Sequence, residues 1–283
     1  MKLLKPGRKA RNAMLTIVIF LTILFFAIPL IISFVISISK TNLDPNALIE
    51  PIIQITNTIS NFKIIINIII DNYINIVSNT IYIAAFFNSV ILGILTTILC
   101  LIIGLPIAYS IHNINTEKIR AFVISIILIS FLIPSPIRAN ALINILNSIG
   151  IKPKQPSETF FTICLGMVYC YLPFVIFPIY TALTKIDRSY LEAVSDLGCG
   201  PTKTFWRIVI PLSIRGIASA CVLTFIMSLG DLVIPELVGN NIPTIGTMIS
   251  ELFSTSDWSL ACSLSIITVL LTIILLTIFR VKF

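Results

Sequence analysis

Charged side chains are scarce in this sequence, since Asp, Glu, Lys and Arg make up only 11% of its 283 residues and there is a single His. Soluble globular domains carry roughly 25% charged residues. Hydrophobic residues reach 57% and the mean hydropathy is +1.05, so a lipid bilayer is the natural solvent. A membrane-embedded enzyme would need clustered His, Asp or Glu, or a Ser beside a base, and these are missing. We therefore expect no catalytic residue and no enzyme activity.

Two sequence motifs are also missing: a paired-cysteine motif and a glycine-rich phosphate-binding loop. The six cysteines form no C-x-x-C pair, so we expect neither a metal site nor a disulfide framework, and no cofactor. No G-x-x-x-x-G-K-[ST] phosphate loop occurs, so the chain offers no recognisable site for ATP. The net charge of +7 comes from cations in short breaks between apolar runs, which argues against nucleic acid as a partner.

Long apolar runs are what the sequence has in abundance. A helix of about 20 apolar residues crosses the hydrocarbon core, because only a helix or a closed barrel satisfies the backbone in lipid. Prolines and a glycine-aspartate pair predict that the third and fifth runs end in broken or kinked helix. The runs predict an all-α, polytopic membrane protein with six spans, at residues 14–39, 84–111, 120–140, 160–184, 215–238 and 258–279.

The remaining segments predict an orientation. The first run is too long for a typical signal core, so we interpret it as a retained helix that follows a basic terminus, residues 1–13. Of the 19 Lys and Arg residues, 14 then lie on the side of the N-terminus, which the positive-inside rule makes cytoplasmic together with residues 280–283. Residues 40–83 are predicted to be extracytoplasmic, with a short surface helix around the seven-residue run 64–70.

One long cytoplasmic loop, residues 185–214, lies between the fourth and fifth predicted spans. The spacing of its apolar residues and the glycine at 198 predict a short amphipathic helix that ends at Gly198. Apolar Tyr190, Val194 and Leu197 lie on one face of this helix. Glu192 and Asp196 share another face, where like charges four residues apart weaken an isolated helix. Such a helix gains from a partner's groove, although an ordinary interfacial helix explains the pattern equally well.

The same loop carries a family resemblance. It reads Glu192-Ala193-Val194, three residues, Gly198, nine residues, then Ile208 and Ile210-Pro211. This resembles the EAA loop of type I ABC importer permeases, whose pattern is E-A-A, three residues, G, nine residues, I-x-L-P. The resemblance implies that the loop docks on a separate ATP-binding subunit, present in two copies. It also implies a second homologous permease subunit and an extracytoplasmic substrate-binding protein, in a bacterial inner membrane.

The resemblance extends over roughly residues 71–279 and is closest to the spermidine and putrescine permeases. The stretches that carry it are DNY at 71–73, NS at 88–89, TTILCLIIGLPIAY at 96–109, GMVYCYLPFVIFPIY at 166–180, GDLVIPELVG at 230–239 and DW at 257–258. One position departs from the group, because Asn144 stands where an Arg is common. If that Arg has a role, it is altered here or moved to Arg138.

A polyamine crossing lipid needs carboxylates or aromatic faces in place of its water. Asp231 and Glu236, which flank the break at Pro235, and Tyr171 are the candidate pathway residues. Two alternatives stay open: both acids could lie in the headgroup region with a structural role, and the aromatic ring could be an interface anchor. A different cargo, such as ferric ion, sulfate or another small solute, also fits the architecture.

Overall fold

The structure is a computed structural model that describes Thr16, Leu21, Phe25 and residues 27–37, 62–150, 155–186, 200–238 and 242–281. The regular elements in these residues are helices, as the predicted all-α fold requires. They are α1 (Ile28–Ser37), α2 (Phe62–Ser78), α3 (Thr80–Asn113), α4 (Glu117–Leu132), α5 (Ser135–Ser148), α6 (Pro156–Leu183), α7 (Pro201–Thr204), a π-helical turn (Phe205–Val209), α8 (Ile210–Leu212), α9 (Ile214–Leu229), α10 (Val233–Val238), α11 (Ile245–Ser254) and α12 (Trp258–Val281).

The chain divides into two compact units. The first consists of residues 1–79 and 249–267, and polar side chains join its helices. Asn72 of α2 donates to the Ser37 carbonyl oxygen of α1 at 3.0 Å and to the Ser259 hydroxyl of α12 at 2.8 Å. The Ser37 and Ser263 hydroxyls are 2.8 Å apart. Interhelical hydrogen bonds of this kind hold helices together where lipid gives no hydrophobic driving force between them.

The second unit, residues 80–248 and 268–283, has a core of three packed helices, α3, α6 and α9. On α3 the buried residues follow a four-residue spacing, through Leu92, Thr96, Cys100, Gly104 and Ala108. Isoleucines such as Ile98 lie exposed on the other side, which suits a helix that faces lipid there. Of the two long helices α3 and α6, α6 is the more buried, so it forms the centre of this unit.

The predicted break in the third span is present. The axes of α4 and α5 differ by 97°. Ile133, between them, is extended at φ −76° and ψ 125°, because a residue before proline is disfavoured in the helical region. Pro134 then caps α5 and Pro136 lies in its first turn, where the missing N–H groups cost nothing. The two prolines therefore end one helix and begin another.

Helix lengths agree with several of the predicted spans. By length and composition, α3 and α6 can each cross a membrane, and the described residues hold up to four crossings if each of two bent helix pairs is one span. The second bent pair joins Phe205–Leu212 to α9 at 69°. The total of six spans therefore stays a prediction.

Two segments differ from the predicted elements. The helix predicted from the run 64–70 is in fact α2, whose 17 residues include Asp71 and Asn72. These two polar residues do not end the helix, because Asn72 uses its amide to bond α1 and α12. The helix α11 was not predicted. Its 10 residues are fewer than the roughly 20 apolar residues that identify a membrane span in the sequence. Its placement beside the break after α9 is important for the site.

Candidate functional site

The predicted coupling helix lies outside the described residues, and with it Tyr190, Glu192, Ala193, Val194, Asp196, Leu197 and Gly198. The end of the loop is described. Pro211 has no N–H and its ring crowds the carbonyl group of residue 207, so the regular helical bond cannot form there. The Ile210 N–H instead bonds the Phe205 carbonyl oxygen, five residues back, which produces the π-helical turn that contains half-buried Ile208.

This turn packs against the long helix α3. The rings of Phe205 and Tyr109 have their centroids 5.1 Å apart, and Thr204 and Val209 are buried. Ser213 donates to the Val209 carbonyl oxygen at 2.6 Å and so satisfies a backbone group at the bend before α9. The loop end is therefore joined to both α3 and α9.

A second feature is the break after α9, which carries Asp231. α9 ends at Leu229, Gly230 follows at φ −98° and ψ 9°, and α10 begins at Val233. The first N–H groups of a helix have no partner within it, and a short acidic side chain satisfies them well. Asp231 does this, because its Oδ1 accepts from the Val233 N–H at 3.0 Å. Its other carboxylate oxygen, Oδ2, is buried and accepts no hydrogen bond from the described residues.

Tyr171 of α6 meets the same break. The side chain is buried, and its hydroxyl donates to the Met227 carbonyl oxygen at 3.4 Å. That carbonyl is one of the last four in α9, which lack partners inside the helix. The Tyr171 hydroxyl also lies within interaction range of the Asp231 carboxyl group. The structure thus brings together two of the three predicted pathway residues, 60 positions apart in the chain.

Arg138 of α5 joins this cluster. It is only 7% exposed, and its Nη1 donates to the Cys170 carbonyl oxygen at 3.1 Å, next to Tyr171. Its Nε is buried without a partner, and its charge acts on both Cys170 and Tyr171. Asn144, on the same helix, is exposed. A buried guanidinium is therefore present on α5, but it comes from Arg138, six positions before the residue that departs from the family pattern.

Glu236 is not part of this cluster. It lies exposed on α10, whereas Ile234, Pro235 and Val238 of the same helix are buried. We call Arg138, Tyr171 and Asp231 the core polar cluster. Among the described residues, no three His, Cys, Asp or Glu side chains are grouped so that they could hold a metal ion. The chemistry that the cluster offers is electrostatic: a buried carboxylate oxygen lies beside a phenol ring, and the phenol ring in turn lies within range of a guanidinium.

Gly246 of α11 fixes the backbone of the break. A Cβ at this position would lie 2.5 Å from the Asp231 carbonyl oxygen and 3.0 Å from the Leu232 Cα. We expect Gly246→Ala to force the break away from α11 and to destabilise the protein by about 1–3 kcal/mol, typical of overpacking. The thermal midpoint of the purified protein should fall by several degrees. Gly230→Ala is the matched control, because nothing lies within 4 Å of its Cβ position; equal midpoints for the two variants would contradict this account.

Residues 100–281 match the family described as "Binding-protein-dependent transport system inner membrane component". The chain belongs to this family of inner-membrane transport components. It is also 31% identical to the spermidine/putrescine transport system permease protein PotB of Haemophilus influenzae, over 83% of this chain and 87% of that one. The predicted membership of the polyamine group of type I ABC importer permeases is thereby confirmed, as is a multi-pass place in the bacterial inner membrane.

Solved structures agree on the permease fold. A bacterial alginate ABC transporter in complex with its alginate-bound periplasmic protein superposes with a TM-score of 0.70, at 16% identity, over 95% of this chain and 92% of that one. The MetNI methionine ABC transporter in inward-facing conformations gives a TM-score of 0.54, at 17% identity, over 70% and 94% of the two chains. At this identity the likeness concerns the fold, which is that of an ABC transporter permease.

Proposed function

We propose that this permease passes polyamines of the spermidine and putrescine type into the cell. The similarity to PotB supports the substrate class, since that relative is named for spermidine and putrescine transport. The observation that carries the proposal is the buried Oδ2 of Asp231 beside Tyr171, at a break in a membrane helix. Ionisable groups in such places are expensive and usually belong to a transport pathway.

The chemistry of the core polar cluster suits an organic cation. An ammonium group that leaves water needs acceptors, and a charge-assisted hydrogen bond to a carboxylate is among the strongest available. The face of an aromatic ring attracts the same cation within about 6 Å of the ring centroid. Arg138 lies on the other side of this pair, where its charge acts on Tyr171 and Cys170.

The driving force comes, in this proposal, from ATP hydrolysis on a separate subunit. Residues 185–214 dock on that subunit through the helix that contains Glu192 and Gly198. The packing of Phe205 on Tyr109 supports this role, because it joins the loop to α3. The assembly that we propose contains two ATP-binding subunits, a second homologous permease subunit and an extracytoplasmic binding protein that delivers the substrate. The chain itself performs no chemical reaction.

The topology in this proposal has six spans, with both termini in the cytoplasm. Residues 1–13 and 280–283 are cytoplasmic, 14–39 form the first span, 40–83 are extracytoplasmic, and 84–279 form the five-helix core with the coupling loop. The distribution of Lys and Arg supports this orientation. It places α2 on the outer side and the π-helical turn on the inner side of the membrane.

A second candidate function is the same permease for another small solute. Arg138 is the observation that favours an anionic cargo such as sulfate, since its Nε is buried without a hydrogen-bond partner. A carboxylate oxygen in the same cluster opposes this, because an anion beside Asp231 would be repelled. A ferric ion would require several oxygen ligands, and the described part of the cluster offers one carboxylate.

Stimulation of ATP hydrolysis distinguishes these cargoes. The complex is reconstituted in lipid nanodiscs, and the hydrolysis rate is measured with the binding protein loaded with spermidine, putrescine, sulfate or ferric ion. We expect spermidine or putrescine to raise the rate several-fold above the unloaded binding protein, and sulfate and ferric ion to leave it unchanged. Stimulation by sulfate alone would retain the permease and overturn the polyamine assignment.

A further inference from the structure

A groove of about 960 Å³ lies between α6 and α9 in the second unit, outside the core polar cluster. The side chains that line it are spaced about one helical turn apart. Phe177 and Thr181 line it from α6, Lys185 lines it from the turn after α6, and Arg215 and Ser219 line it from α9. Because α6 and α9 run in opposite directions, the two cations lie at the same end of the groove, next to the predicted coupling loop.

A close helix crossing forms the floor of the groove. A Cβ added at Gly216 would collide with the Ala182 Cβ and lie 2.9 Å from the Pro178 carbonyl oxygen. The backbones of α6 and α9 are therefore in close contact at this point, and the larger side chains on either side form the walls of the groove. The result is an elongated slot that is apolar over most of its lining surface and polar at one end.

Among the residues that the structure describes, the two cations at the polar end have no anionic partner. The one ion pair in the described residues joins Arg120 to Glu117, and neither Lys185 nor Arg215 forms another. Both side chains are exposed. Two neighbouring cations, one just after α6 and one in α9, attract an anion such as a phosphodiester, and Arg215 can bind two of its oxygens at once.

We propose that this groove is a binding site for an anionic phospholipid of the inner leaflet. The phosphodiester lies between Lys185 and Arg215, and an acyl chain extends along the slot past Thr181 and Ser219 to Phe177. The order of the lining residues supports this occupant, because the cations lie at the predicted cytoplasmic end and the apolar wall lies deeper in the membrane. Basic pockets between membrane helices on the cytoplasmic side recognise such headgroups. The site rests on the proposed orientation and not on the identity of the transported substrate.

Native mass spectrometry of the whole transporter complex tests the site. The complex is purified, incubated with phosphatidylglycerol or phosphatidylcholine, and the lipids that remain bound are counted. We expect phosphatidylglycerol to be retained and the Lys185→Gln/Arg215→Gln variant to bind it at least tenfold more weakly, since each cation near the surface contributes about a fivefold effect. The matched control is Lys118→Gln/Lys203→Gln, which removes two exposed cations that do not line the groove.

A second variant separates the lipid from a free anion. Ser219→Phe keeps both cations and fills the slot, so it should reduce phosphatidylglycerol retention as the double variant does. Inorganic phosphate at millimolar concentration should fail to displace the bound lipid. The proposal is overturned if the groove variants retain as much lipid as the control, if phosphate displaces the lipid, or if a photo-crosslinker at position 219 captures an ATP-binding or second permease subunit instead of phosphatidylglycerol.

Discussion

Replacement of Asp231 by Asn should reduce polyamine uptake by about 10- to 100-fold while the complex still assembles and hydrolyses ATP. The carboxylate Oδ2 is buried beside the Tyr171 side chain, so an ammonium group that reaches it meets a charged acceptor and a phenol ring together. A hydrogen bond to a charged group is worth about 1.5–3 kcal/mol, and about 1.4 kcal/mol corresponds to a factor of ten. Asn preserves the shape and the bond from the Val233 N–H, so the loss reports on the charge. Uptake of labelled spermidine by proteoliposomes is the measurement.

Glu236→Gln is the matched control for this prediction. It removes one negative charge five positions along the chain, but from an exposed side chain on α10. We expect it to change uptake by less than about twofold, since solvent-exposed charges contribute little. If Glu236→Gln proves as harmful as Asp231→Asn, the pathway follows the outer surface of α10 and the core polar cluster is structural.

The second large effect is expected in the coupling loop. Glu192→Lys reverses the charge of the acidic face that we predict to dock on the ATP-binding subunit, and Gly198→Asp places a Cβ where a left-handed helix cap is predicted. Both variants should lose nearly all ATP-driven uptake, and the ATP-binding subunit should dissociate more readily during purification. Binding of the spermidine-loaded binding protein should persist, because it uses the opposite side of the membrane.

Uptake and subunit retention together decide whether the loop couples the two proteins. Lys118→Gln serves as the control, because it changes an exposed cation in the first turn of α4, outside the coupling loop. We expect it to leave both quantities near the wild-type values. If Glu192→Lys and Gly198→Asp retain full uptake, the loop is an ordinary interfacial helix and the ATP-binding subunit must dock elsewhere.

The sequence predicted the breaks in the helices better than their lengths. Pro134 and Gly230 interrupt apolar runs, and the chain does bend or stop there, because proline and glycine act locally. The break predicted at Pro235 was misplaced: it falls at residues 230–232, and Pro235 lies in the first turn of α10, where its missing N–H costs nothing. The π-helical turn before Pro211 was not predicted, since hydropathy does not distinguish it from regular helix. α2 is longer than its apolar run, because Asn72 satisfies its amide on α1 and α12, a contact between distant segments.

The candidate site also depends on contacts between distant segments, which the sequence alone does not reveal. Asp231 and Tyr171 were named separately from the sequence, on the ground that ionisable and aromatic residues are unusual in membrane spans. Their proximity depends on the packing of α6 against α9, and helices that are apolar nearly all round show no periodicity that reveals which faces meet. Arg138 entered only as an alternative to the residue at 144. Its position in an apolar run directly after two prolines was the available signal.

The most direct test of the central claim is spermidine uptake by proteoliposomes that contain the binding protein, the ATP-binding subunit and the second permease, with and without this chain. We expect ATP-dependent accumulation with this chain, and no uptake when it is omitted or when the ATP analogue cannot be hydrolysed. Equal uptake without the chain, or uptake that persists without hydrolysis, would contradict its role as the permease through which a separate ATPase drives the polyamine.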